Sequence, residues 1–298
     1  MTASQLYRLA RPRTLTAAFS PVILGASYAA TLHTAVQSLW LSLFYTLLIL
    51  ICVMSSQIAA NIWNEYFDFK SGLDLNQAAG NSGTIVREGI SPQQVKKLGY
   101  IFSLTPLVLG IFLASQVSWW LLPAGAVCIL ISLFYSGGPK PISRTPFRRT
   151  RLRCGHGFCH CLYYGLHLDG HALLGLLNPG HSVYHLIGNI MMTNNLRDFS
   201  NDKAHGRRTL VILLGKDEGI RLLRTLFIVC VLWLFLWVFL GHLPSASLLG
   251  IIALFPAFKS AAILQRYADV VKMNEAMKFT SISVTLYHLL VSVGLWIG

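Results

Sequence analysis

A chain of 298 residues with 54% hydrophobic and only 12% charged residues, and a mean hydropathy of +0.57, is not built as a water-soluble domain. Such a domain carries about twice that share of charge. The net charge of +13 invites a nucleic-acid reading, but the cations are segregated along the chain in a way that reports membrane sidedness instead.

In chain order, the polar and basic start "MTASQLYRLARPR" has no clear small-residue cleavage site and reads as a cytoplasmic tail. A first span is expected near 15–31 and a second near 38–63. Further spans are expected near 97–115, 118–135, 152–168, 172–192, 221–240, 245–263 and 279–297, about nine in all. The connections 32–37, 116–119 and 241–246 contain no Lys or Arg. The alternate segments hold Arg8, Arg11, Arg13, Arg87, Lys96, Lys97, Lys140 and Arg144, then the runs from Arg197 to Arg224 and from Arg266 to Lys278. Cations concentrate on the cytoplasmic side of membrane proteins, so the N-terminus is expected inside, the C-terminus outside and the basic loops in the cytoplasm. The expected architecture is all-α: one polytopic transmembrane helical bundle over residues 1–298, in the cell membrane. Lipid is its expected partner, and nucleic acid is not. Cys52, Cys128 and Cys230 fall inside apolar runs and read as packing residues, and Trp119 and Trp120 as interfacial anchors.

Two stretches expected as loops carry acids beside the membrane: "NIWNEYFDFKSGLD" (Asn61 to Asp74) and "NNLRDFSNDKAHGRRTL" (Asn194 to Leu210). Each contains Asn, three residues, then Asp, as Asn64–Asp68 and Asn194–Asp198; the first continues to Asp74 and the second to Asp202. This is a weak internal repeat of about 130 residues. On a helix, residues four apart share a face, so Asn64 with Asp68 and Asp198 with Asp202 would present neighbouring oxygens. Such hard donors suit Mg2+, which is held by carboxylates together with substrate phosphates. The alternative is that these acids cap helices or pair with Lys and Arg in a solvated loop. Two such clusters on one expected face, beside Arg197, Lys203, Arg207 and Arg208, favour an anionic ligand. A diphosphate carrying a long hydrocarbon fits both the cations and the apolar helices, which points to prenyl diphosphate chemistry.

The stretches "RPRTLTAAFSPVILG", "NEYFDFKSGLD", "GTIVREG", "YSGGPKPIS" and "NNLRDFSNDKAHGRRTLVILLG" resemble the UbiA superfamily of intramembrane prenyltransferases. Within it they are most similar to the members that act on 1,4-dihydroxy-2-naphthoate in menaquinone synthesis. The resemblance covers nearly the whole chain except residues 148–186. It implies Mg2+ held by Asn64, Asp68, Asp74, Asp198 and Asp202, with Asn64, Asp68, Asp198 and Asp202 as the catalytic set. Arg87, Lys140, Arg197 and Lys203 would grip the diphosphate, and Asn61 and Tyr135 would line the substrate site; a belt tyrosine at the interface is the other reading of Tyr135. The allylic C–O bond would ionise, the aromatic ring would attack the allylic cation, and CO2 would leave to give demethylmenaquinone. Apolar walls would keep out water that quenches the cation. One departure is Glu65, where the family often has Asp; the charge is kept, so metal binding is expected to survive.

Residues 148–186 stand apart, with six of the ten histidines, three of the six cysteines and the string "CGHGFCHC". One reading is a soft-metal site, but Cys154, His156, Cys159, His160 and Cys161 are too crowded for paired ligand spacing. A second is a divergent, polar helix pair. The favoured third is a reading frame displaced by one base and later restored. Moved one base on, His and Tyr codons become Ile, Thr or Met, and Cys codons become Val or Ala, the composition of a membrane span. Both acidic motifs survive that shift, although a damaged helix pair would leave this polypeptide misfolded or inactive.

Two other functions compete. One is a UbiA-type prenyltransferase for another aromatic acceptor, 4-hydroxybenzoate or homogentisate. The other is a cation or metal transporter using the intramembrane carboxylates, which leaves the paired motifs and their basic neighbours unexplained.

Overall fold

The computed structural model describes residues 1–31, 39–70, 84–116, 180–204 and 208–298, together with residues 72, 119, 122, 123, 125, 126 and 206. Among these residues there is no strand, and the regular elements are helices. The short α1 (Ala3–Ala10) opens with a reciprocal cap in which the Thr2 hydroxyl accepts from the Gln5 amide and the Gln5 side chain accepts from the Thr2 amide. Arg11 adopts a left-handed backbone, φ 51°, and ends the helix. Pro12 then starts α2 (Pro12–Thr31), where its fixed φ suits a first helical turn.

α3 (Leu39–Lys70) has 32 residues and so runs about 48 Å, well beyond the roughly 30 Å hydrocarbon layer. The surplus is its C-terminal end, which carries Asn64 and Asp68. The segment expected as a loop from Asn61 is therefore helical as far as Lys70: its aromatic residues keep the helical period after the aliphatic run has ended. α4 (Thr84–Glu88) and α5 (Pro92–Gln116) follow. The second motif is likewise helical, on α6 (Gly180–Arg197) and α7 (Phe199–Ala204); after α8 (Leu210–Leu214), capped by Thr209, comes α9 (Lys216–Phe239). A 3-10 stretch, Ser245–Ala253, runs directly into α10 (Leu254–Arg266), and α11 (Val270–Ile297) is N-capped by Asp269.

By length and composition, five described helices can cross a membrane: Leu39–Lys70, Pro92–Gln116, Lys216–Phe239, Ser245–Arg266 and Val271–Ile297. α2 and α6 lie where the first and sixth spans were expected but are more polar, with Ser20, Ser27, Asn189 and Thr193 buried along them. The span expected near 152–168, residues 148–179 of the anomalous segment, and all but residues 119, 122, 123, 125 and 126 of the span expected near 118–135 lie outside the described residues. α5 shows what the bilayer does to a surface. Tyr100, Leu104, Leu107, Val108 and Ile111 form an exposed apolar stripe, which lipid tails would cover.

The main core joins α2, α6, α9, α10 and α11 through Leu24, Tyr28, Leu196, Phe227, Leu264, Met277 and Tyr287. α11 is its centre, packing against α2, α6, α10 and the 3-10 stretch. In that stretch every third residue on the buried side is small (Ser247, Gly250, Ala253), as a three-residue turn requires for one column to face a neighbour. The approach is close enough that a Cβ on Gly294 of α11 would lie 2.5 Å from the Ser247 backbone. A smaller core of Leu9, Ile62, Ile85, Ile90 and Val95 ties α1, α3, α4 and α5 together beside the first acidic motif.

Candidate active site

The first motif sits on the C-terminal turns of α3, beyond its aliphatic run. The Asn64 Nδ2 donates to Asp68 Oδ2 at 3.1 Å, so the two side chains share one face, and both remain partly exposed. The neighbouring face of the same helical turns is structural. Asn61 Nδ2 donates to the Ala10 carbonyl (2.8 Å) and to Thr14 Oγ1 (2.9 Å), and its Oδ1 accepts from Gln57 Nε2 (3.3 Å). Glu65, one turn on, is 1% exposed and meets Arg11 Nη2 at 2.8 Å. It also accepts from the Thr84 and Ile85 amides. Two interleaved i,i+4 pairs thus point one way to the N-terminal junction and the other way to the candidate site.

The second motif has a different architecture. The Asp198 amide bonds to the Asn194 carbonyl (3.0 Å) and the Asp202 amide to the Asp198 carbonyl (2.8 Å), so helical spacing continues through the α6–α7 junction. Arg197 is 4% exposed and grips both carboxylate oxygens of Asp198: Nε to Oδ1 at 2.7 Å and Nη2 to Oδ2 at 2.6 Å. Its remaining donors reach Asn194 Oδ1 (2.6 Å) and, on α11, Asn274 Oδ1 (3.2 Å). Asn274 enters the site from 77 residues away, and no spacing rule applied to the motif alone points to it. Asp202 is 3% exposed, while Lys203 on α7 and Arg87 on α4 are exposed. Asp74, Tyr135 and Lys140 lie outside the described residues.

α2 packs against both α3 and α6 and so links the helices that carry the two motifs. Among the described residues no three His, Cys, Asp or Glu side chains gather as a ready-made metal cage; the first motif presents an amide and an acid, Asn64 and Asp68, and the second two acids, Asp198 and Asp202. The donor set of Asn64, Asp68, Asp198 and Asp202 nevertheless consists of amide and carboxylate oxygens, which fits a hard divalent cation such as Mg2+ completed by ligand phosphates and water.

With the two motifs in place, residues 18–282 match the UbiA prenyltransferase family. The chain belongs to that family. It is an integral membrane protein of a prenyltransferase family, so its acidic pairs belong to a family of enzymes. It is 33% identical over 297 residues to the 1,4-dihydroxy-2-naphthoate octaprenyltransferase of Bacillus subtilis (strain 168), covering 98% of this chain and 92% of that one. Among solved structures, it resembles a UbiA homolog from Aeropyrum pernix K1 (TM-score 0.70, 14% identity, 95% of this chain and 97% of that one). It also resembles a UbiA homolog from Archaeoglobus fulgidus bound to GPP and Mg2+ (TM-score 0.64, 15% identity, 97% and 99%). The structural likenesses establish the fold, and the family match establishes what kind of protein has it.

Proposed function

We propose that this chain transfers a polyprenyl group from an allylic diphosphate to 1,4-dihydroxy-2-naphthoate, releasing diphosphate and CO2 and giving demethylmenaquinone. The observation that carries the reading is the near-full-length 33% identity to a naphthoate octaprenyltransferase in a chain that has both helical motifs, Asn64 with Asp68 and Asp198 with Asp202. Mg2+ held by Asn64, Asp68, Asp74, Asp198 and Asp202 would supply the positive charge that stabilises the departing diphosphate.

The chain's own residues divide the remaining work. Arg197 fixes the Asp198 carboxylate in one orientation, so the acid is preorganised and need not be collected at the moment of reaction. Arg87 and Lys203, exposed on short helices next to the two motifs, are the diphosphate grips, joined by Lys140. Asn61 acts at one remove, holding α3 against the N-terminal junction, and Tyr135 shapes the acceptor pocket. Helix surfaces below the motifs hold the hydrocarbon and exclude water from the allylic cation. The motif-bearing helix ends face the cytoplasm, the protein sits in the cell membrane, and residues 1–298 form one domain.

The test is the product mass from membranes containing the full chain, supplied with 1,4-dihydroxy-2-naphthoate, 4-hydroxybenzoate and a mixture of prenyl diphosphates. Prenylated naphthoquinol with matching CO2 release supports the reading. Prenylated 4-hydroxybenzoate without CO2 release would transfer the activity to the other acceptor.

A further inference from the structure

The acid beside Asn64 reads, from sequence, as one more charge of a metal motif. Its surroundings assign it another task. Glu65 Oε1 accepts from both the Thr84 and Ile85 amides, which begin α4, and Oε2 meets Arg11 Nη2 at 2.8 Å. Both oxygens are engaged and 1% of its surface is exposed, so the carboxylate is committed to these partners, while the Asn64–Asp68 pair stays partly open on the adjacent face. α4 has five residues, too few to persist by its own hydrogen bonds. It is held at its first turn by Glu65, from beneath by Ile85 in the Leu9–Ile62–Val95 cluster, and at its last residue by Glu88 to Arg8 Nε, 2.8 Å. Arg11, the other partner, is the residue whose left-handed backbone turns α1 into α2.

We propose that Glu65 is a positioning residue: one carboxylate joins the α1–α2 junction to the first turn of α4 and thereby sets where Arg87 stands relative to Asn64 and Asp68. It is not a metal ligand. The structural half of this stands on the contacts alone; the effect on diphosphate binding rests on the function proposed above. Asp at this position reaches one methylene less far, so it can keep the cap or the ion pair but not both at full strength.

The experiment uses the full chain in nanodiscs, with Glu65→Gln, Glu65→Asp, Arg11→Gln and the double variant Glu65→Gln/Arg11→Gln. Hydrogen exchange of the 84–88 amides is read beside the KM for prenyl diphosphate, kcat and the Mg2+ concentration for half-activation. Expected are exchange at 84–88 about tenfold faster in Glu65→Gln and a KM raised about tenfold or more, the scale of losing a supporting partner. Half-activation by Mg2+ stays unmoved and Glu65→Asp recovers part of the loss. The double variant is expected to be no worse than the poorer single one, because both remove the same contact. A tenfold shift in Mg2+ half-activation with exchange unchanged would make Glu65 a ligand and overturn the proposal. Faster exchange with unchanged KM would reduce it to a purely structural contact and overturn the positioning role. Should Glu65→Gln not fold, Arg11→Gln reads the same clamp from its other side. If the wild type transfers no prenyl group, the proposed function fails while exchange still decides whether Glu65 holds α4.

Discussion

Arg197 and Asp198 are adjacent in sequence and joined twice in space, Nε to Oδ1 at 2.7 Å and Nη2 to Oδ2 at 2.6 Å, with the guanidinium almost wholly buried. A lysine has the charge but not the planar fork, so it can hold one oxygen at a time and gives up the Asn194 and Asn274 contacts. Arg197→Lys is expected to lower kcat about 10- to 100-fold, the range for losing a partner that orients a ligand. Steady-state prenyl transfer in nanodiscs checks it, and wild-type turnover in the variant would remove Arg197 from the site.

The carboxylates themselves should matter more than their holder. Asp68→Asn and Asp198→Asn keep shape and remove charge, and each is expected to reduce turnover by about 10²-fold or more. Chelation of divalent metal should abolish transfer in the wild type, and Mg2+ should restore it. Thermal unfolding in detergent, monitored alongside, should move little for Asp68→Asn, whereas Asp198→Asn should also lower it, because the buried Arg197 guanidinium loses its carboxylate partner.

Asn61 separates tethering from substrate contact. Its amide is committed to Ala10, Thr14 and Gln57. Asn61→Leu is therefore expected to destabilise the chain by about 1–3 kcal/mol through the unmet Ala10 and Thr14 groups, with the Mg2+ half-activation unchanged. A raised KM for prenyl diphosphate at unaltered melting temperature would instead place Asn61 against the substrate.

Two glycines should differ in tolerance. A Cβ on Gly99 would lie 2.9 Å from the Trp63 ring, which is held by Nε1 to Ser103 Oγ at 3.0 Å, so the ring must shift. A Cβ on Gly294 would meet backbone of the 3-10 stretch at 2.5 Å, where nothing short of moving the helix gives room. Gly99→Ala is expected to cost about 1–3 kcal/mol and Gly294→Ala more. Melting temperatures of the two purified variants rank them directly.

Much of this arrangement is legible in the residue order, for a physical reason. Apolar runs long enough to cross a bilayer mark the existence of α3, α5, α9 and α11, because lipid leaves the backbone no alternative to a helix, although α3 runs seven residues past its expected end and α11 starts nine residues before its expected start. The i,i+4 pairing of Asn64 with Asp68 follows from helical geometry alone. What pattern reading misreads is the end of an element: Asn61 to Lys70 looks like a loop once aliphatic residues give out, yet the helix continues. It also cannot see partners distant in sequence. Glu65 looks like a member of the acidic motif until Arg11, 54 residues earlier, and Thr84, 19 residues later, are found on its oxygens. Asn274 is invisible for the same reason. α2 and α6, both expected as spans, are more polar than the other spans because Ser20, Ser27, Asn189 and Thr193 are buried inside the protein.

The nine-residue 3-10 stretch has a consequence for reach. At about 2.0 Å per residue it extends roughly 18 Å, where an α-helix of equal length would extend about 13 Å. The segment Ser245–Arg266 therefore covers the thickness of a membrane with residues to spare for a thin contact seam. A single deletion within it would shorten the crossing by about 2 Å and swing the Ser247–Gly250–Ala253 column through about a third of a turn, away from α11. Insertions and deletions should thus be least tolerated where the side chains are smallest.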